Sequence, residues 1–126
     1  MKRCWVGLAC LFLLLAGGLY VSRVMVNSHA PIAQALDRAA ECAQAEDWEA
    51  AASLAGKAGE AWQRHWHFTA AFADHEPMET IDALFSRLTV FASARKSEEF
   101  AAVCRELSRQ VEAMGDAHRL TWWNLL

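Results

Sequence analysis

The sequence of 126 residues contains only two prolines and six glycines. Residues 31–114 have very few of either, and residues 31–126 lack the strand-like alternation of apolar and polar side chains. Alanine, the strongest helix former, is the commonest residue type. The sequence therefore excludes a β-rich fold and predicts an all-α protein, and its length excludes a multidomain enzyme.

Sequence motifs for catalysis and cofactor binding are also missing. There is no Cys-x-x-Cys pair, haem-attachment Cys-x-x-Cys-His, Gly-x-Ser-x-Gly elbow or glycine-rich phosphate loop. His65 and His67 are two residues apart, which places them about 200° apart around a helix and prevents them from sharing a metal ion. We therefore expect no enzymatic activity and no cofactor.

Charge is missing from residues 4–22, which read CWVGLACLFLLLAGGLYVS. A helix of this length spans just under about 30 Å, the thickness of a bilayer core. Lys2 and Arg3 precede the segment and Arg23 follows it, so the positive-inside rule places the N-terminus in the cytoplasm. We expect residues 1–22 to be a single-pass anchor in the cytoplasmic membrane, in contact with lipid through residues 4–22.

The alternative for this segment is a cleaved signal peptide, with Ala16 and Gly18 as the small residues before the cut. We favour the anchor because the apolar run continues through Val21 to full spanning length. Lipoprotein attachment at Cys10 is the least favoured outcome, because the segment before it has almost no charged leader.

After the anchor we expect a linker at residues 23–30 and an extracytoplasmic helical domain at residues 31–126. Residues 24–126 carry a net charge of −6. An acidic domain does not favour nucleic acid as a partner.

Apolar residues in the domain recur at three- and four-residue spacing, which predicts four helices in two hairpins. We expect the first helix to span 31–45. On the second helix we expect one face with small side chains in its first half and aromatic side chains, including Trp62 and Trp66, in its second half. The expected boundary residues are Pro31 and Pro77 at helix starts, Asp47 and Ser97 as N-terminal caps, Gly115 at the end of the fourth helix, and Thr121 as the cap of a last short turn. The tail from His118 onward should dock on the domain or touch the membrane surface.

A four-helix bundle is favoured over a short solenoid of the tetratricopeptide kind, because two hairpins fall short of the repeats a solenoid needs. The first and fourth helices are neighbours only in the bundle. A disulfide between Cys42 and Cys104 would therefore indicate a bundle, although two buried free thiols are the favoured interpretation.

One polar cluster surrounds the predicted start of the third helix. His75, Glu76, Glu79 and Asp82, with Asp74 before them, could bind a divalent cation or hold a protonation switch. The favoured interpretation is a polar turn, because carboxylates at a helix N-terminus are stabilised by the helix dipole.

The order and spacing of several features resemble a family of small bacterial membrane-anchored proteins, domain of unknown function 4363. The features are the basic N-terminus and apolar anchor, Glu46-Asp47-Trp48-Glu49-Ala50, Trp62 and Trp66, Asp74-His75-Glu76, Ile81-Asp82-Ala83-Leu84 with Arg87-Leu88, and Leu120-Thr121-Trp122-Trp123-Asn124-Leu125-Leu126. The resemblance implies a membrane-anchored helical protein and no established activity.

Together these features predict an interaction or scaffolding module in the bacterial envelope. We expect a protein partner to bind in a groove between the hairpins, as a helix does in helix-in-groove recognition. The alternative function is a cation-sensing or ligand-binding domain that uses the cluster around His75.

Overall fold

The structure is a computed structural model that describes residues 2–69 and 75–123. Within these ranges, side chains are described except at residues 2, 3, 22, 25, 26, 68, 69, 75–77 and 118–123. The described residues form four helices and no strand: α1 (Lys2–Gln44), α2 (Trp48–Thr69), α3 (His75–Ser93) and α4 (Ser97–Trp123). The all-α prediction is confirmed.

Each of the two hairpins has one turn between its helices, and the two turns have the same conformation. Glu46 and Arg95 adopt the left-handed conformation, with φ of 60° and 50°. The amide that follows each of them bonds back five residues, Asp47 to the Cys42 carbonyl at 2.9 Å and Lys96 to the Phe91 carbonyl at 3.0 Å. This is the Schellman pattern, which ends a helix sharply by satisfying its last carbonyls.

The residue after each turn begins the next helix. The predicted cap at Asp47 is confirmed, because its Oδ1 accepts a hydrogen bond from the Ala50 amide at 3.2 Å. The fourth helix does begin at Ser97, but the predicted cap there is wrong. The first helical hydrogen bond runs from the Phe100 amide to the Lys96 carbonyl at 2.9 Å, so Lys96 is the cap and Ser97 is the first helical residue. The two turns lie at the same end of the molecule, since the Trp48 and Phe100 rings pack edge to face with centroids 5.6 Å apart. We call this the turn end and the opposite end the base.

The four helices form an antiparallel bundle. α1 contacts α2 and α4, and α3 contacts α4 and α2, so the chain closes into a ring. Gln44 at the end of α1 accepts a 2.8 Å hydrogen bond from Arg105 near the start of α4. A linear solenoid would not bring α1 and α4 together, so the bundle prediction is confirmed.

The closest packing is between α1 and α4. Small buried side chains line both helices, and this allows their backbones to approach. The larger residues Leu36, Trp62, Met78, Ile81, Phe100 and Leu107 fill the centre of the bundle. The predicted core position of Trp62 is thus confirmed, and Trp48 and Trp66 pack against the same core while half-buried.

The predicted start of the first domain helix at Pro31 is wrong. α1 runs unbroken from Lys2, so residues 23–30, expected as a linker, are helical and Pro31 lies inside the helix. A proline inside a helix removes one hydrogen bond, here to the carbonyl of Asn27. Asn27 is exposed, so water can satisfy that carbonyl. The apolar segment and the first bundle helix therefore form one continuous element.

The predicted end of the fourth helix at Gly115 is also wrong, as is the separate last turn at Thr121. α4 continues through both residues to Trp123. Gly115 is buried, has no positive φ, and lies where an added Cβ would be 3.4 Å from the Cβ of His29 on α1. This glycine allows two helices to approach each other and does not end one of them.

Cys42 and Cys104 are free thiols, as the favoured interpretation predicted, but only Cys104 is buried and Cys42 is half-buried. At 100° per residue, Cys42 lies about 160° around α1 from Gln44, the residue that contacts α4. Cys42 therefore faces away from α4, and the alternative disulfide does not form.

Candidate functional site

An apolar groove runs between α2 and α3, the pair of neighbouring helices with the least contact. Its volume is about 410 Å³. The α2 side consists of small residues, Ala52, Ala55, Gly56 and Gly59. The α3 side and the turn end are formed by Phe85, Leu88, Thr89, Ala92, Ser93 and Phe100. The groove is open, since Ala52 and Gly56 are exposed to solvent.

Aromatic side chains separate the two helices along this groove. Phe85 lies against Gly59, with its Cδ1 3.5 Å from the position of an added Cβ. Phe100 of α4 is fully buried and closes the groove at the turn end. No described atom other than the helix's own lies within 4 Å of a Cβ added at Gly56. The middle of the groove is therefore unfilled space.

Asp82 connects α2 and α3 at the end of the groove nearest the base. Its Oδ1 accepts hydrogen bonds from Trp62 Nε1 at 3.2 Å and from Gln63 Nε2 at 3.0 Å. A carboxylate that holds the indole of a fully buried tryptophan fixes both the ring and the local distance between the helices. The groove begins next to these two hydrogen bonds, on the side toward the turn end.

The exposed charges beside the groove are mainly acidic. On α2, Glu49 and Glu60 lie about 70° and 90° from the centre of the groove-lining stripe, whereas Lys57 and Arg64 lie about 150° and 130° away. All four are exposed. On α3 the neighbouring exposed positions are uncharged, and Arg87 lies about 160° away. Lys96, in the turn, lies 3.9 Å from Glu99. The α2 lip of the groove is therefore acidic, whereas Arg95 and Lys96 are exposed in the turn that follows α3.

A family model described as Domain of unknown function (DUF4363) matches residues 19–125, most of the chain. The chain belongs to this family. The resemblance inferred from the order of motifs is therefore confirmed. A search of curated proteins and a search of solved structures each found no match for the chain.

The base of this DUF4363 bundle contains a cluster of aromatic rings. His29 on α1 is 3% exposed, and its ring packs edge to face on His65 of α2 with centroids 4.5 Å apart. The Trp62 ring lies 6.5 Å from His29 and 6.4 Å from His65. His65 is half-buried in this cluster, whereas His67 is exposed. The cluster joins α1 to α2 beside the close contact of α4 at Gly115.

The predicted cation cluster is only partly described. Asp74 lies outside the described residues, and the side chains of His75 and Glu76 do as well. Glu79 is exposed and Asp82 holds Trp62. Among the described residues, no three His, Cys, Asp or Glu side chains are grouped closely enough to bind a metal ion.

The best buried nucleophile candidate is kept protonated. Burial raises the pKa of the Cys104 thiol from 9.0 to about 12; nearby Asp37 also raises it, and Arg105 opposes this. A thiol needs a lowered pKa to act as a nucleophile near neutral pH. Cys104 therefore serves as a small core residue of this family member.

The N-terminal half of α1 carries the other large apolar surface of the chain. Cys4–Val21 is long and apolar enough to cross a membrane, and none of it is buried against the bundle. An N-terminal signal sequence would have the same features. Among the side chains that the structure describes, Val90 is the only large apolar one that is exposed outside α1.

Sequence reasoning missed the position of the groove and the role of His29. The signal for the groove was present, because Ala52, Gly56 and Gly59 form a small-residue stripe beside the predicted core face of α2. His29 was assigned to the linker, so its burial was not expected. A prediction that extended the first helix through residues 23–30 would have placed His29 on the buried face.

Proposed function

We propose that this protein is a membrane-anchored interaction module of the bacterial envelope whose α2–α3 groove binds a helix of a partner protein. The groove carries the proposal. It is apolar, open, and lined on one side by small residues that permit close approach of another helix. From residue 52 to residue 59 it extends about 10 Å, which accommodates about two turns of a bound helix.

The partner helix should have an apolar face flanked by lysine or arginine. This follows from the α2 lip of the groove, where Glu49 and Glu60 are exposed and the basic residues of α2 and α3 lie on other faces. Electrostatic complementarity would speed association and select against acidic helices. The proposal is a binding role and assigns no catalytic residue and no cofactor.

Residues 4–22 provide the anchor in this proposal, with the N-terminus in the cytoplasm and the bundle outside. Two features support retention in the membrane. The exposed apolar side chains are concentrated on α1, and the same helix continues into the bundle core at Ile32 and Leu36. If N-terminal sequencing of the mature protein begins at Leu19, the segment is a cleaved signal and the anchor part fails.

A peptide titration tests the groove. The full-length chain in neutral detergent is mixed with a fluorescent helical peptide that has leucines on one face and lysines beside them. We expect saturable binding that weakens as salt is added. Gly56→Leu fills the empty part of the groove and should weaken binding by about tenfold or more.

Lys57→Leu is the matched control, because it adds the same side chain to α2 on a face turned away from the groove. It should bind the peptide as the wild type does. A second control replaces the lysines of the peptide with glutamates, which should abolish binding. Equal binding by the Gly56→Leu variant, or by the glutamate peptide, would overturn the proposed groove.

A further inference from the structure

We infer that the C-terminal end of α4 is a second membrane contact, seated in the bilayer surface beside the anchor. This inference rests on the anchor part of the proposed function. It concerns residues whose backbone is described to Trp123 and which the groove does not use.

Two contacts define the register between α1 and α4. The helices are antiparallel: Gln44 pairs with Arg105, and His29 contacts Gly115. From Gly115, α4 continues eight residues to Trp123, and from His29 the same distance along α1 leads back to Val21. At 1.5 Å per residue both helices advance about 12 Å toward the base.

The C-terminal end of α4 reaches the level at which the apolar segment of α1 ends. Val21 is the last residue of the apolar segment. Two bundle helices that cross at about 20° separate by only about 4 Å over this distance. The backbone of Trp123 therefore lies beside the end of the apolar segment, at the depth of the membrane interface. By the same register Arg119 lies at the level of residue 25, about 3 Å from the level of Arg23.

The composition of the C-terminal residues is typical of a membrane interface. The last seven residues, 120–126, are Leu-Thr-Trp-Trp-Asn-Leu-Leu, with no charge on a side chain. Tryptophan is enriched at membrane interfaces because its ring is apolar and its N–H group is polar. By the register, the backbones of Arg23 and Arg119 lie about 3 Å and 6 Å beyond Val21, the level at which anionic headgroups would lie. A lipid surface is therefore the occupant that fits this end of the bundle.

Fluorescence quenching by brominated lipid tests the contact. The full-length Trp5→Phe variant is reconstituted into vesicles of phosphatidylcholine and phosphatidylglycerol whose acyl chains carry bromine near the headgroup. We expect quenching of the tryptophan emission, and loss of most of it when Trp122→Phe and Trp123→Phe are added. Trp48→Phe, at the turn end, is the matched control and should leave the quenched intensity unchanged.

Helical circular dichroism of each variant shows that the bundle is intact. Quenching that survives the Trp122→Phe/Trp123→Phe pair would overturn the inference. Flotation of the vesicles after a carbonate wash reports the anchor separately. A chain that floats but shows no quenching from residues 122 and 123 refutes this contact alone, whereas a chain that does not float refutes the anchor and this inference together.

Discussion

The α1–α4 contact and the α2–α3 contact are both lined with small side chains, yet one is closed and the other open. Between α1 and α4, the small residues of both helices are buried: Ala33, Ala40, Ala101, Cys104, Ser108 and Gly115. Between α2 and α3, Ala52 and Gly56 remain exposed. Small residues draw helices together only when nothing larger stands between them, and here Phe85 and Phe100 keep α2 and α3 apart.

The difference matters for function because close packing and binding need opposite arrangements. In the α1–α4 contact, burial of the apolar side chains away from water stabilises the bundle. In the α2–α3 contact, the same residue types leave apolar surface available to a partner. We call the closely packed α1–α4 side of the bundle the rigid side. We call the α2–α3 side, where apolar surface remains available to a partner, the receptive side.

The largest expected change in stability comes from replacing one alanine with leucine on each side of the bundle. Ala40→Leu inserts a side chain where relative exposure is 0%, and overpacking of this kind costs about 1–3 kcal/mol. Ala52→Leu extends into the open groove and should change the free energy of unfolding by less than about 0.5 kcal/mol. Urea denaturation of the full-length chain in detergent measures both. Equal losses would mean that the groove closes in solution.

Much of the fold follows from sequence because local rules govern it. The cap at Asp47, the start of α4 at Ser97, the core position of Trp62 and the bundle itself depend on short-range periodicity and turn chemistry. The errors arose where a residue has two uses. Pro31 can open a helix or lie within one, and Gly115 can end a helix or admit a neighbour; only the packing of α1 against α4 decides.

The candidate site was predicted less well for a related reason. Helix-in-groove binding was expected, but the groove depends on which aromatic residues separate α2 from α3, and that is a tertiary property. Asp82 shows the same limit. Its sequence neighbours suggested a cation cluster, whereas in the bundle its carboxylate accepts hydrogen bonds from Trp62 and Gln63 on another helix.

The pH dependence of the free energy of unfolding also tests the α1–α4 contact, with a smaller expected effect. Because the pKa of Cys104 rises from 9.0 to about 12 in the fold, this thiol stays protonated after the unfolded chain would lose its proton. Its contribution is complete below about pH 9 and is lost as pH rises toward about 12, with about 1 kcal/mol lost by pH 10. Unfolding measured between pH 7 and 10 should show this loss in the wild type.

Cys104→Ala is the control for that loss, since other groups also titrate above pH 9. The difference in stability between wild type and variant should narrow as pH rises. A constant difference would show that the thiol ionises inside the fold and that the α1–α4 contact admits water. Cys42, which is half-buried and faces away from α4, should react with an alkylating reagent at pH 8 while Cys104 does not.

The finest test uses one glycine from each side. Gly56→Ala should stabilise the protein by about 0.5–1 kcal/mol, because alanine favours a helix interior and its Cβ meets only open space. Gly115→Ala gains the same helix propensity, but its Cβ would lie 3.4 Å from the Cβ and 3.5 Å from the Cγ of His29. At these distances the added methyl group is in tight van der Waals contact with the His29 side chain, whereas the methyl group at Gly56 meets open space, so this substitution should give a smaller gain than Gly56→Ala. Equal stabilisation in thermal unfolding would show that the α1–α4 contact yields as readily as the open groove, and the distinction between a rigid and a receptive side would fail.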